Sequence, residues 1–147
     1  LQVIEGAHAF LPGARRVLTG PTRRILVDGS NVAWWGQTSD EGPDLENIRA
    51  LRHKLYNEGY FPVVILADAA LPYQVKEQER LNRWILRGEI HLVEGRTDAD
   101  ETLLQEARRW NCSIVTNDLM RDHDPEGSIP RISFAIGPGG VDLKDGA

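Results

Sequence analysis

The chain has 147 residues, with 17 basic and 22 acidic side chains and a net charge of −5; that is one domain's worth, long enough to bury a core without a disulfide or metal clamp. Its 41% hydrophobic and 27% charged content excludes disordered, collagenous and membrane-embedded classes. Cys112, the single cysteine, excludes a disulfide framework and a four-ligand Cys/His zinc finger, and the acid excess argues at first sight against a polyanionic partner.

Residues 1–23 mix Gly6, Pro12, Gly13, Gly20 and Pro21 with Arg15/Arg16 and Arg23, show no sustained period, and read as a leader or linker with one short element near 14–18. Ile25-Leu26-Val27 is a short, wholly apolar run, as expected of a strand buried on both faces. Similar runs follow at Val63–Ala67 and 113–116. Between them a helix opens at Asp44, carries Leu45, Ile48, Leu51 and Leu55 at spacings of three and four, and closes at Gly59. A second is expected from Pro72 through Leu81, Trp84 and Ile85 to Gly88. After a strand near 90–93, a third begins at Thr97, which with Asp100 resembles a capping box, and buries Leu103, Leu104 and Ala107. The last strand, 131–136, alternates Ile132, Phe134 and Ile136, which predicts an edge position; the glycine-rich tail from Gly137 reads as mobile.

This alternation predicts a single α/β domain, a three-layer sandwich with a mostly parallel sheet and helices on both faces. The expected boundaries are a leader or linker at 1–23, the domain at 24–137 and a flexible tail at 138–147. The longest apolar stretch falls far short of a membrane span and no secretory pattern opens the chain, so a soluble, cytoplasmic protein is the expectation.

Ligands of open α/β sheets bind beyond the carboxyl ends of the strands, so carboxylates there are informative. Asp28 follows the first strand, Asp118 follows 113–116, Asp122 lies one helical turn further on, and Asp98, Asp100 and Glu101 open the third helix. Taken singly, these positions suit turn chemistry and compensation of the helix dipole. Gathered on one sheet edge, such carboxylates repel unless some are protonated or a cation sits between them. No lysine or arginine nearby in sequence serves them all, and oxygen donors without thiolates favour Mg²⁺ or Mn²⁺ over zinc or copper. Mg²⁺ binds through one or two carboxylates plus substrate phosphates, which points to phosphate-ester chemistry. His123, between Asp122 and Asp124, suits a solvated loop or a place in the site.

Ile25-Leu26-Val27-Asp28-Gly29-Ser30-Asn31-Val32-Ala33 resembles the first motif of the PIN-like NYN ribonucleases, most closely the regnase type. Ser113-Ile114-Val115-Thr116-Asn117-Asp118 followed by Arg121-Asp122 is similar to that family's other signature, and the helix start at Asp100 matches its acidic motif. The resemblance spans about 24–136. Ala99 stands where the family often has a second adjacent carboxylate, Met120 where it tends to carry an aromatic, and the regnase CCCH zinc finger is absent. The resemblance implies a PIN-like Rossmannoid fold and hydrolysis of RNA phosphodiesters to a 5′-phosphate and a 3′-hydroxyl. It implies Mg²⁺ or Mn²⁺ on Asp28, Asp100 and Asp118, with Asp122 at a second ion or a metal water.

Asn31 would orient Asp28 or the scissile phosphate, and Ser30, Asp98, Glu101 and Asn117 are secondary candidates; capping is the competing role for Ser30 and Asn31. Trp34 and Trp35 could stack bases or pack in the core. Arg80, Arg83 and Arg87, on one helical face, and Arg121 are candidate RNA contacts, although Glu79 and Arg83 also suit an i, i+4 pair. Arg15, Arg16, Arg23 and Arg24 are further candidates. The expected partner is single-stranded or structured RNA, with no membrane and with room for a homo-oligomer.

The alternatives are a PIN-like module that binds RNA or protein without cutting and a haloacid-dehalogenase-like phosphatase. The latter needs a second Asp where Ser30 stands. Seven acids (Asp28, Asp98, Asp100, Glu101, Asp118, Asp122 and Asp124) belong to or border the expected site, leaving fifteen against seventeen bases. A polyanion is therefore not excluded.

Overall fold

Strand β1 (Ile25–Asp28) is buried along its whole length because its side chains serve two cores: Ile25 and Val27 enter one, and Leu26 the other. The computed structural model describes residues 23–145. The elements after β1 are α1 (Gly29–Ala33), α2 (Leu45–Asn57), β2 (Val63–Ala67), α3 (Leu71–Gln74), α4 (Gln78–Leu86) and β3 (His91–Leu92). They are followed by α5 (Ala99–Trp110), β4 (Ile114–Val115), β5 (Arg131–Gly137) and β6 (Gly140–Asp145). The sheet runs β3-β2-β1-β4-β5-β6, parallel except for the β5–β6 pair. This is the expected α/β architecture. The order of connection reverses at β1, so the crevice between the ends of β1 and β4 is the topological switch point.

The helices form where the apolar spacing requires. Asp44 caps α2 by accepting from the Glu46 amide (2.9 Å), and Leu45, Ile48, Leu51 and Leu55 are all buried. Helix α5 buries Leu103, Leu104 and Ala107 against Leu26, Ile114 and Met120 on the other face. Among the described residues, no helix is long and apolar enough to cross a membrane.

Four expectations are corrected. The helix from Pro72 is two pieces, α3 and α4, because Val75 is extended (φ −74°, ψ 147°) and sinks its branched side chain into the first core. Helix α5 is capped by Asp98 rather than Thr97; the carboxylate accepts from the Asp100 amide (2.9 Å) and opposes the positive end of the helix dipole. The tail is not mobile over 140–145, since β6 returns along β5 from Ile132↔Asp145 to Gly137↔Gly140. Gly140 permits the tight return with φ +118°, and Val141 joins the core. For the same reason β5 is not an edge strand. The leader at 1–22, with Arg15 and Arg16, lies outside the described residues.

Candidate active site

Asp28 ends β1 and remains 6% exposed. The chain then turns directly into α1, and Gly29 is dictated by space: a Cβ there would meet Ile65 Cγ2 at 2.9 Å and the Leu66 carbonyl oxygen at 3.0 Å. The next two side chains tie the turn to both neighbouring strands. Ser30 Oγ accepts from the Asp68 amide (3.0 Å), just past β2, and Asn31 Oδ1 accepts from the Asn117 amide (2.9 Å), just past β4. The run Asp-Gly-Ser-Asn is thus a clip across the switch point. Asn31 Nδ2 has no partner among the described residues.

Buried Thr116 donates its hydroxyl to Asp28 Oδ2 (2.9 Å) and accepts from the Asp118 amide (3.1 Å). The Asn31 amide donates to Asp28 Oδ1 (3.3 Å). Burial pushes the Asp28 carboxyl up to about 6; the bonds from Thr116 and Asn31 oppose that rise, and Asp100 and Asp118 add to it by repulsion. Asp100, half-buried at the start of α5, is also raised, first by burial and then by Asp118, Asp98 and Asp122. Asp118 is exposed and caps its own turn, Oδ1 accepting from the Met120 amide (2.9 Å). Met120 is the anchor of this loop: buried beside Leu103 and Leu104, it holds φ +52°.

Asp28, Asp100, Asp118 and Asp122 therefore share one electrostatic neighbourhood at the carboxyl edge. Among the described residues no three His, Cys, Asp or Glu side chains close around a single point. The donor set nevertheless suits a hard divalent cation, because Asp100 and Asp118 both repel the Asp28 carboxylate and no lysine or arginine is among the groups that set its pKa.

The other candidates divide. Asp98 spends one oxygen on the Asp100 amide and the other on His123 Nε2 (2.7 Å), which lowers the Asp98 carboxyl and raises the histidine. Glu101 is exposed on the first turn of α5. Asn117 is not free for a ligand: its amide exchanges two bonds with the Phe134 backbone (2.9 Å each), prolonging the β4–β5 ladder by a side chain. Trp35 is packing, its indole donating to the Ile136 carbonyl (3.1 Å) and tilted against Phe134, whereas Trp34 stays partly exposed. Arg80 is engaged by Glu46 (2.6 Å) and Glu77 (3.5 Å); Glu79 and Arg83 form no ion pair among the described residues, and Arg83, Arg87 and Arg121 are exposed. Asp124 is taken up by structural bonds. It is buried against Arg131 (3.0 Å) and accepts from Ser128 and Ile129, which hold it down at about 2.

Sequence reasoning passed over three residues. Thr116 sits inside the quoted motif, and Asp68 directly follows a buried strand as Asp28 does; both carried a legible signal. Asn47, buried in α2, donates to the Val32, Ala33 and Trp35 carbonyls (3.2, 3.4 and 3.0 Å) and holds the end of α1. Nothing in its spacing announced that.

The family model described as Zc3h12a-like ribonuclease NYN domain matches residues 21–133. The chain is 27% identical over 105 residues to Proteinaceous RNase P 2 of Arabidopsis thaliana, covering 67% of this chain and 20% of that protein. It is 28% identical over 105 residues to Proteinaceous RNase P 3 of the same plant, covering 67% and 18%. The chain thus spans about a fifth of the length of the curated relatives it matches. The crystal structure of nuclear proteinaceous RNase P 2 from A. thaliana has the same fold, with a TM-score of 0.68 at 21% identity over 97% of this chain and 34% of that one.

Proposed function

Because the chain belongs to the Zc3h12a-like ribonuclease NYN domain family, we propose that it hydrolyses RNA phosphodiesters at the carboxyl edge of its sheet, using Mg²⁺ or Mn²⁺. Asp28, Asp100 and Asp118 would hold the cation, with Asp122 at a second ion or a metal-bound water. The observation that carries this reading is the buried Asp28 carboxyl, raised to about 6, with Asp100 and Asp118 repelling it and no lysine or arginine among the groups that set it. A bound divalent ion supplies a water of lowered pKa and neutralises charge developing on the phosphoryl oxygens.

The chain's own residues do the positioning. Thr116 holds one oxygen of Asp28, and the Asn31 amide holds the other. The Asn31 side chain ties the two strand ends together while its Nδ2 is available to a phosphate oxygen. Partly exposed Trp34 would meet a flanking base, and exposed Arg121, Arg83 and Arg87 the flanking phosphates. Single-stranded or structured RNA is the proposed substrate, cut to a 5′-phosphate and a 3′-hydroxyl.

The test is cleavage of a labelled single-stranded RNA with Mn²⁺ or Mg²⁺, with chelator, and with Asp118→Asn. Metal-dependent cutting by wild type that falls at least a hundredfold in the variant is expected, about 3 kcal/mol of barrier. Cutting that survives Asp118→Asn overturns the assignment. Binding without cutting would identify a non-cleaving module.

A further inference from the structure

At the opposite, amino end of the sheet, three guanidinium groups lie on aromatic rings. Arg23 sits 4.1 Å over Tyr60, and Arg24 and Arg109 sit 3.6 and 5.1 Å from the Trp110 ring. The topology brings these together. Arg23 bridges to Phe61 where β1 and β2 begin, and Trp110 closes α5 just before left-handed Asn111 turns the chain toward β4. A cavity of about 460 Å³ opens among Arg23, Arg24, Tyr60 and Trp110, floored by Ile25 and Ser113.

The patch is basic and incompletely paired. Arg23 and Arg24 have no carboxylate partner among the described residues, and Arg24 Nε is buried without an acceptor. Two of the acids nearby are committed: Glu58 offers Arg23 its backbone carbonyl (2.8 Å) and faces Lys54 with its carboxylate (3.5 Å). Glu106 is shared by the Trp110 indole (2.9 Å) and Arg109 (3.9 Å), and Asp145 borders a neighbouring cavity beside Arg23. Trp110 nevertheless stays 42% exposed.

We propose that this amino-end patch is a second RNA contact, taking a single-stranded stretch away from the cut. Phosphates lie against Arg23, Arg24 and Arg109, and a base stacks on the exposed Trp110 or guanidinium face. An acidic peptide would be met by charge alone; flat aromatic and guanidinium surfaces beside that charge match a strand carrying both phosphates and unstacked bases. The identity of the strand rests on the ribonuclease reading. Four residues of β1 at about 3.3 Å each separate the two ends by about 13 Å, some four nucleotides at a rise of about 3.4 Å. Only an RNA extending beyond that distance from the cut reaches both.

The experiment measures anisotropy of labelled single strands of about three and about twenty nucleotides, in chelator, with wild type and R23E/R109E. Cleavage of both strands with Mn²⁺ runs in parallel. Wild type is expected to prefer the long strand, and the variant to lose about tenfold or more on it with less than twofold change on the short one. The salt dependence of long-strand binding should flatten by about one to two units of slope. Unchanged long-strand binding in the variant overturns the proposal even if cleavage stands, and so does an equal loss on both lengths. If wild type binds but does not cut, the ribonuclease reading falls while the same ratio still decides the patch.

Discussion

Asp28 shows how a catalytic candidate is held at the expense of stability. An unfolded aspartate titrates near 3.8 and the native one at about 6, so the folded protein binds the extra proton between those values. Stability therefore falls as pH rises from about 4 to about 6, and above that range the buried charge costs about 1–3 kcal/mol. Asp28→Asn should abolish metal-dependent cleavage and yet raise stability by that amount at pH 7.5 in chelator. Urea denaturation at pH 7.5 and pH 4 checks it: the gain should vanish at the lower pH, and a destabilised variant at pH 7.5 would contradict the electrostatic account. Asp28, Asp100 and Asp118 were legible in the sequence because each follows a strand or opens a helix. The burial of Asp28 and the Thr116 hydroxyl on its carboxylate were not, since both depend on residues 88 positions apart meeting.

At the scale of elements, α5 and the β4–β5 loop frame the site by different means. Helix α5 begins on the Asp98 cap, so Asp98→Ala should cost about 1 kcal/mol in thermal or urea unfolding and Thr97→Ala less than about 0.5 kcal/mol. The reverse ranking would restore the Thr97 cap. The loop is held by Asp124, whose carboxylate gathers Ser128, Ile129 and Arg131. Asp124→Ala leaves Arg131 buried without its partner and should cost about 3–5 kcal/mol. Its depressed pKa means that wild type keeps this contribution above about pH 4 and loses it as pH falls toward 2, a loss the variant should not show in acid denaturation. Apolar periodicity located both helices, but it could not separate neighbouring cap residues or tell a metal-bordering aspartate from a loop lock. Those depend on which partner lies across the chain.

For the whole molecule, charge is arranged by end rather than by sum. Asp28, Asp100, Asp118 and Asp122 share the carboxyl edge, while at the amino end Arg23 and Arg24 have no carboxylate partner among the described residues. Strand β6 completes the sheet, and truncation after Gly137 should cost at least about 2 kcal/mol through loss of Val141 burial and β5 pairing. It should also promote association through the bared β5 edge, read by thermal unfolding and light scattering; an equally stable monomer would count against β6. The sequence by itself determined the α/β class, the two helices with strict apolar spacing, the family and the sheet edge on which the acids gather, because each follows from local period and strand order. Only the tertiary structure decided the break at Val75, the return of β6, the commitment of Trp35, Asn117 and Asp124 to packing, and the aromatic-arginine patch at the amino end. Each turns on the energy of burying or pairing a side chain against residues distant in the chain, which no local pattern encodes.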